Sequence, residues 1–541
     1  MELSAGRRVA LLAVYPEEDA ASPRFALPNY GVRRIQAALL SDPALADAEV
    51  AVFESRDKDV EALLAEVEAF GPDVVGGAGY LWSLPTLYPV LRALKAARPE
   101  RAVVLGGPSA RPEMFARPPF DGAGGFLDAL VIGGGEAAIQ AIVGAADRSR
   151  DALALIPGLA LHDGEVWRRT PPASRLTPLD AAASPYRMGL MPEGGFACLQ
   201  SYFGCPLTCA YCAWGAMGDP KDVLSAETLA AELRAFRDSG AEGAILVDAA
   251  LNLNAAAFKN LVAAEAEAGF FADATLLCEL YPSKLKDEHM DFLAGLKTPQ
   301  VSVGLQSYDS EVLARLRRPF DADRFEAVVG EVTSVAEVVI EIILGLPGDD
   351  PASFRRTFER LLTLPAGVRV YPCLALPDAL MAGAPENFEL EWDQRTLKLT
   401  RAWGWSPEAL AEAAGWLESL AGERASSVAG LYWWSFDKFG ARRRQPAARK
   451  PVSAALTDRV SRAVSAGSGG RWAAGEVSRA GDRVVAEVRA GERSFSIWMG
   501  RDQPEVKRYR AVRGMAFGYS EGLPREERST LDRVIARLAL G

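Results

Sequence analysis

Histidine is nearly missing from this chain: His162 and His289 are the only two in 541 residues. That stock cannot supply a zinc site built on His pairs or a catalytic scheme that needs several imidazoles. Cysteine is scarce too, and six thiols in a chain this long exclude a disulfide scaffold. No run approaches the roughly 18 apolar residues of a membrane-spanning helix. Val9–Tyr15, behind Arg7 and Arg8, is too short for a signal core and meets Pro16, Glu17 and Glu18 at once. The chain therefore reads as cytoplasmic, with no membrane partner. Long basic blocks are also lacking. Net charge is −11, and the cluster from Arg442 to Lys450 is short and broken by Pro446. It reads as a solvated linker, so no nucleic-acid partner is expected.

The chain does have ordinary globular proportions, 49% hydrophobic and 24% charged, and a length that suits three or four domains. Residues 1–150 alternate apolar runs (Val9–Tyr15, Val50–Glu54, Asp73–Gly77, Ala102–Leu105, Ala129–Ile132) with helix-period segments such as Val60–Phe70 and Leu84–Ala97. Continuous apolar strands between helices predict a doubly wound, Rossmann-like parallel sheet covered on both faces. Ligands of such sheets lie beyond the carboxyl ends of the strands. Those ends carry Gly76-Gly77-Ala78-Gly79, Gly106-Gly107-Pro108 and Gly133-Gly134-Gly135-Glu136. Residues 151–195, richer in Pro, Ser and Thr, read as a linker. The βα rhythm resumes over 196–395 with six strands, at Phe196–Tyr202, Ala244–Val247, Ala274–Cys278, Val301–Leu305, Val338–Leu344 and Val368–Leu376. This pattern predicts a partial or full βα, TIM-like barrel with its site at the carboxyl ends of the strands. Residues 396–541 read as a smaller mixed α+β domain that caps the site. Its expected elements are a helix from Ser406-Pro407 to about Leu420, an aromatic run at Tyr432-Trp433-Trp434, a hairpin around Ala490-Gly491-Glu492 and a helix near Glu526–Leu538.

Three of the six cysteines sit together, in Cys205-Pro-Leu-Thr-Cys209-Ala-Tyr-Cys212, on a loop after a strand. A structural zinc wants four Cys or His ligands, and no fourth follows locally. A zinc knuckle would have to borrow a distant ligand. A cuboidal iron–sulfur cluster, by contrast, can be held by three thiolates with one iron left open for a substrate.

The loop resembles the cluster motif of the radical S-adenosylmethionine (SAM) superfamily, with Tyr202-Phe203-Gly204 where relatives often read Arg-Gly. That resemblance implies a 4Fe-4S cluster on Cys205, Cys209 and Cys212, SAM chelated to the open iron, and an external one-electron reductant of flavodoxin or ferredoxin type. Tyr211 falls at the position that contacts adenine. Gly304-Leu305-Gln306-Ser307 resembles the segment near the methionyl moiety. Gly345-Leu346-Pro347-Gly348-Asp349 resembles the turn near adenosine, and Asp248 with Asn252 and Asn254 resembles the stretch after the second strand. Leu376-Pro377-Asp378-Ala379 departs from the Pro-Gly-Thr of relatives, and the Gly-Gly-Glu trio that grips the SAM amino group is absent. Glu279 is a candidate polar partner, or a strand-end carboxylate held by a structural arginine.

The front domain resembles the cobalamin-binding domain fused to many radical SAM enzymes. Matching residues are Asn29-Tyr30-Gly31, Tyr80-Leu81-Trp82-Ser83, Gly106-Gly107-Pro108 and Gly134-Gly135-Glu136. Residues 1–150 hold no histidine, which excludes an imidazole from that stretch as a cobalt ligand. Flavin or nucleotide binding is the alternative for this sheet. Tyr80 and Trp82 either cover one face of the corrin or pack the domain. Taken together, the resemblance covers about residues 8–380 and implies a cobalamin-dependent radical SAM C-methyltransferase. Such an enzyme passes methyl from methylcobalamin to a carbon of a small, natural-product-type molecule, as in antibiotic biosynthesis. Trp214 either lines the substrate gap or walls the barrel mouth. A cobalamin-dependent rearrangement, ring contraction or cyclisation without methyl transfer is the other enzymatic reading, and a non-catalytic sensor the third.

Overall fold

A computed structural model describes residues 7–16, 29–173, 178–216, 222–297, 299–318, 321–423, 427–429, 432–436, 450–480, 483–490, 493–499, 530, 533–534 and 537. These divide into two compact units. The larger takes in residues up to 364 and 371–413, and the smaller takes in 365–370 and those from 414 onward.

In the larger unit the first sheet is built from β1 (Arg8–Val14), β2 (Glu49–Ser55), β3 (Val74–Ala78), β4 (Ala102–Gly106), β5 (Ala129–Val131), β6 (Leu159–His162) and β7 (Trp167–Arg169). Their order is β2-β1-β3-β4-β5-β6-β7. The first five strands are parallel, and the last two run antiparallel on the edge. Val9 to Val14 are all buried, as expected for a strand sandwiched between helix layers. The covering helices begin where their sequences place caps. Helix α1 (Tyr30–Leu40) is capped by the Asn29 side chain, which accepts from the Val32 N–H, and α2 (Val60–Phe70) by Asp59. Helices α3 (Leu84–Ala97) and α4 (Glu136–Gly144) start directly behind the turns that follow β3 and β5.

Two strands thus lie within the segment read as a linker. Leu159–His162 and Trp167–Arg169 complete the sheet, and they bring a histidine into it. Because β6 runs against β5, with Val131 paired to Leu159 and Leu130 to Ala160, His162 lies at the amino end of the parallel strands. The glycine turns are at the other end. His162 packs edge-on against Trp167, and Nδ1 accepts from the Gly164 N–H.

The second sheet of this unit contains β8 (Phe196–Leu199), β9 (Gly243–Leu246), β10 (Thr275–Leu280), β11 (Gln300–Gln306) and β12 (Glu337–Leu344). All are parallel, in the order β12-β11-β10-β9-β8. Intervening helices include Ala226–Asp238, Ala255–Ala268, Asp287–Gly295, Ala322–Val332 and Pro351–Leu361. This is the open βα-barrel arrangement that the rhythm predicts. β13 (Gly367–Pro372) ends before Leu376, and its first residues belong to the smaller unit.

Within the smaller unit, Val368–Val370 pair antiparallel with Trp434–Phe436, which pair in turn with Ser427–Ala429. A separate antiparallel sheet joins Lys450–Pro451, Trp472–Ala480, Arg483–Ala490 and Arg493–Met499. The expected hairpin closes with Ala490 opposite Arg493, and its turn residues lie outside the described set. The helix Ala454–Ser468 covers this sheet through Val460 and Val464, against Trp472, Val477, Ala486 and Val488. In the aromatic run Trp434 is buried and Trp433 is 39% exposed. Residues 442–449 and most of 526–538 lie outside the described set. Among the described residues no helix is long and apolar enough to cross a membrane.

Candidate functional site

The cysteine loop leaves the carboxyl end of β8 and is held from below by Asp248, at the carboxyl end of β9. Asp248 accepts from the Ser201 N–H (2.9 Å), the Tyr202 N–H (3.3 Å) and the Ser201 hydroxyl. Burial pushes its carboxyl up to about 7. The Tyr202 ring is buried, and its hydroxyl donates to the Ala250 carbonyl at 2.9 Å. Asn252 and Tyr281 exchange bonds, the amide nitrogen to the Tyr281 carbonyl and the Tyr281 N–H to the amide oxygen, both 2.9 Å. Asn254 caps Ala255–Ala268. Asp248 and Asn252 therefore act as fasteners between strand ends, and Asn254 starts the helix that follows.

Beyond Gly204 the loop folds on itself. The Leu207 N–H points at the Cys205 Sγ (3.4 Å), and the Cys212 N–H donates to the Cys209 carbonyl (3.1 Å). Gly215 lies so close to Leu207 that a Cβ would stand 2.5 Å from the Leu207 carbonyl oxygen, so no side chain fits there. Cys209 is buried, Cys205 and Cys212 are half-buried, and all three thiols are free. Burial raises the Cys205 thiol and pushes Cys212 up to about 11; neighbouring cysteine charge adds to both. A metal centre loading here must displace protons. Among the described residues no three His, Cys, Asp or Glu stand close enough to cage a single ion. The zinc alternative therefore gains no fourth ligand. A cube of four irons spreads its thiolates more widely, and this donor set suits it.

A cation completes the site. Arg318 brings Nη1 to 4.0 Å from the Cys209 Sγ, donates through Nη2 to the Gly304 carbonyl, and lies 5.2 Å over the Tyr281 ring. Sequence reasoning missed it; its only signal was the Arg317-Arg318 pair after a helix. Gln306 ends β11 in the left-handed region (φ 76°), beside a register shift between Gly304 and Gln306. A Cβ on Gly304 would meet the Gln306 amide at 2.6 Å and Arg318 Nη2 at 3.2 Å, so glycine there lets the Gln306 and Arg318 side chains close over the strand end. Strain of this kind gathers at binding sites. The Tyr211 hydroxyl is buried with no hydrogen-bond partner, beside the third cysteine. An orphaned donor costs free energy unless a ligand pairs with it, which fits a polar group bound against this loop. Gly345, Leu346 and Pro347 form a buried turn after β12, where Gly345 takes φ 89°. Glu279 lies on β10, its carbonyl accepting from the Leu251 N–H at 2.8 Å. Trp214 is half-buried in the short turn Ala213–Ala216.

At the front sheet the carboxyl ends of β3, β4 and β5 make a ledge. Gly107, Pro108, Gly133 and Gly134 are exposed along it, and Gly135 and Glu136 lead into α4. The turns are stitched together: the Gly79 N–H donates to the Gly106 carbonyl (2.6 Å) and the Ser109 N–H to the Gly79 carbonyl (2.9 Å). Gly107 takes φ 104°, and a Cβ there would stand 2.9 Å from the Gly79 carbonyl oxygen. A Cβ on Gly133 would meet nothing within 4 Å, so the ledge is open above it. Tyr80 and Trp82 stack at 4.7 Å and 13°. Trp82 donates to the Val14 carbonyl (3.1 Å), and the buried Ser83 hydroxyl donates to the Ala78 carbonyl (2.7 Å), which fixes this turn and the neighbouring Leu81. Asn29 is occupied as the α1 cap. An open glycine ledge flanked by stacked aromatics fits a large flat polar ligand. Among the described residues no imidazole stands at this edge.

Comparison with known proteins bears on both halves. Residues 199–361 match the radical SAM superfamily. They are a radical SAM domain. The chain is 28% identical over 338 residues to the 2-(S-pantetheinyl)-carbapenam-3-carboxylate methyltransferase of Streptantibioticus cattleyicolor, covering 57% of this chain and 48% of that protein. It is 26% identical over 342 residues to the cobalamin-dependent radical SAM methyltransferase TokK of Streptomyces tokunonensis, covering 59% and 49%. The chain thus spans about half the length of these relatives. The radical SAM methyltransferase TsrM from Kitasatospora setae, solved with tryptophan and a SAM analogue, shares the fold. It has TM-score 0.55 and 20% identity, over 71% of this chain and 76% of that one. The cobalamin-dependent SAM radical enzyme OxsB also shares it, with TM-score 0.57 and 12% identity over 76% and 66%. The resemblance to cobalamin-dependent radical SAM enzymes, read from the motifs, is borne out, as is the expected fold: a parallel front sheet, a βα radical SAM barrel and smaller antiparallel sheets.

Proposed function

We propose that this chain is a cobalamin-dependent radical SAM C-methyltransferase acting on a small molecule. One observation supports it most. A single structural unit joins a three-thiolate loop in a matched radical SAM domain to an open glycine ledge that has, among the described residues, no imidazole at its edge. When bound, the cluster with SAM would supply a hydrogen-abstracting carbon radical and cobalamin a transferable methyl group. Cys205, Cys209 and Cys212 would hold the cluster, and Arg318, beside Cys209, would offset its negative charge. Gln306 and Glu279 would hold the methionyl end of SAM, and Tyr211 with the Gly345–Pro347 turn would hold its adenosine. On the ledge, Gly106, Gly107, Gly134 and Gly135 would admit the corrin by withholding side chains, with Pro108 and Glu136 beside them, while Tyr80 and Trp82 would cover it. Trp214 borders the substrate. A one-electron reductant of ferredoxin or flavodoxin type completes the system. A relative named as a pantetheinyl-carbapenam carboxylate methyltransferase, and a fold neighbour solved with tryptophan as its substrate, support a small-molecule acceptor.

Anaerobic reconstitution followed by iron and cobalt analysis tests the cofactors, and incubation with methyl-labelled SAM tests the reaction. The expected result is about four irons and one cobalt per chain, with label in the product. Cobalt uptake without transferred label would replace methylation with a rearrangement, and zinc in place of iron would overturn the reading altogether.

A further inference from the structure

We propose that two arginines, Arg111 and Arg34, are positioning residues that clamp the glycine ledge of the front sheet to the radical SAM barrel and so set the separation of the two cofactor sites. This inference rests on the function proposed above. Arg111 follows the Gly107 turn. Its Nη1 donates back to the Gly107 carbonyl (3.0 Å) and the Ala110 carbonyl (3.1 Å), while its Nε reaches Asp378 at 2.6 Å. Both side chains of that ion pair are largely buried, at 7% and 17% exposed. Asp378 lies in the turn Pro377–Met381, which packs against Ala213–Ala216 at the end of the cysteine loop and against Pro112–Phe115 beside the ledge. One carboxylate therefore stands between the two sites. It occurs where this sequence departs from the Pro-Gly-Thr of relatives.

Arg34 makes the second attachment. Its Nη2 donates to Glu136 (2.9 Å), directly behind the Gly133–Gly135 turn, and its Nη1 to Gln200 (3.1 Å), at the end of β8 just before the cysteine loop. The Arg34 side chain is 12% exposed. Thus two of the ledge's three glycine turns, the middle one after β4 and the one after β5, are fastened to the barrel by a guanidinium. Gln394, donating to the Met114 carbonyl at 3.0 Å, reinforces the first seam. Apolar side chains of similar volume would hold two surfaces together at least as firmly as buried ion pairs. The forked, directional guanidinium bonds instead fix register. Register matters where a substrate carbon must reach two reagents, because a misplacement of about 1 Å costs on the order of 100-fold in rate.

The test uses the full chain with Asp378→Asn and Gln200→Leu, alone and combined, and Asp378→Glu as the conservative rescue. Iron and cobalt contents are measured first. The expected result is unchanged metal content and 5′-deoxyadenosine formation. Methylated product per 5′-deoxyadenosine should fall roughly 10-fold, and the dipolar distance distribution between cobalt(II) and the reduced cluster should broaden. Asp378→Glu should restore most of both. An unchanged ratio and distance would overturn the clamp, as would a fall explained by lost cobalt. If the wild-type chain takes up no cobalt, the functional reading fails, and the clamp is judged on the apoprotein. Amide hydrogen exchange at residues 106–110 and 377–381 should then accelerate at least several-fold in the variants, and unchanged exchange would overturn it.

Discussion

Replacing Asp248 by asparagine is expected to flatten the pH dependence of stability between about pH 5 and pH 8 rather than to unfold the protein. Asp248 is 3% exposed, and the hydrogen-bond donors to its carboxylate are two backbone N–H groups and the Ser201 hydroxyl. Removal from water raises its carboxyl from 3.8 to about 7, against the partial opposition of those donors. The folded value lies above the unfolded one. The stability this group contributes is therefore fully present below about pH 4 and is lost as pH rises through about 7. At up to 1.36 kcal/mol per pH unit, the interval from pH 5 to pH 7 removes roughly 2 kcal/mol. Asparagine keeps an acceptor for the two N–H groups and carries no charge, so the variant should lose almost none of this.

A chain of two units does not unfold in one step, so the comparison is best made on the carboxyl itself. Difference infrared spectra of the apoprotein, wild type minus Asp248→Asn, should show a protonated-acid C=O band that persists above pH 6 and disappears near pH 7. In parallel, the apparent melting temperature of the wild type should fall between pH 5 and pH 8 while that of the variant stays level. A band lost by about pH 5, or melting curves that fall in parallel, would refute the assignment of the shift to burial at this strand end.

Gly107→Ala places a Cβ against the Gly79 carbonyl at φ 104°; a loss of about 1–3 kcal/mol and reduced cobalt stoichiometry should follow, and wild-type melting with full cobalt would contradict the ledge. Tyr211→Phe removes a buried hydroxyl that lacks a partner; the apoprotein should gain about 1 kcal/mol while SAM binds more weakly in equilibrium dialysis. Arg101, wholly buried, donates to Glu68 and to the Pro72 and Leu94 carbonyls; Arg101→Met should cost about 2 kcal/mol or more, seen as a lowered melting temperature with cluster loading intact.

How much of this was legible in the sequence depended on whether the physical cause was local. β1, β3 and β4 are continuous apolar runs, because a strand buried on both faces must be apolar throughout, and their ends matched the expectation to within a residue or two. β6 and β7 were invisible. Each is three or four residues long, set among Pro and Ser, and becomes a strand by pairing against an existing sheet edge. The count of histidines in residues 1–150 therefore missed one that belongs to the sheet, yet chain direction carries His162 to the end away from the ledge. The cysteine loop was readable because three ligands sit within one turn of chain. Arg318 was not, because its importance arises from a contact with Cys209 across 109 residues, in a sequence where arginine is common. Asp378 makes the same point from the other side. Compared with a motif it is a departure; beside Arg111 it is one half of an ion pair, and only the fold brings the two together across 267 residues.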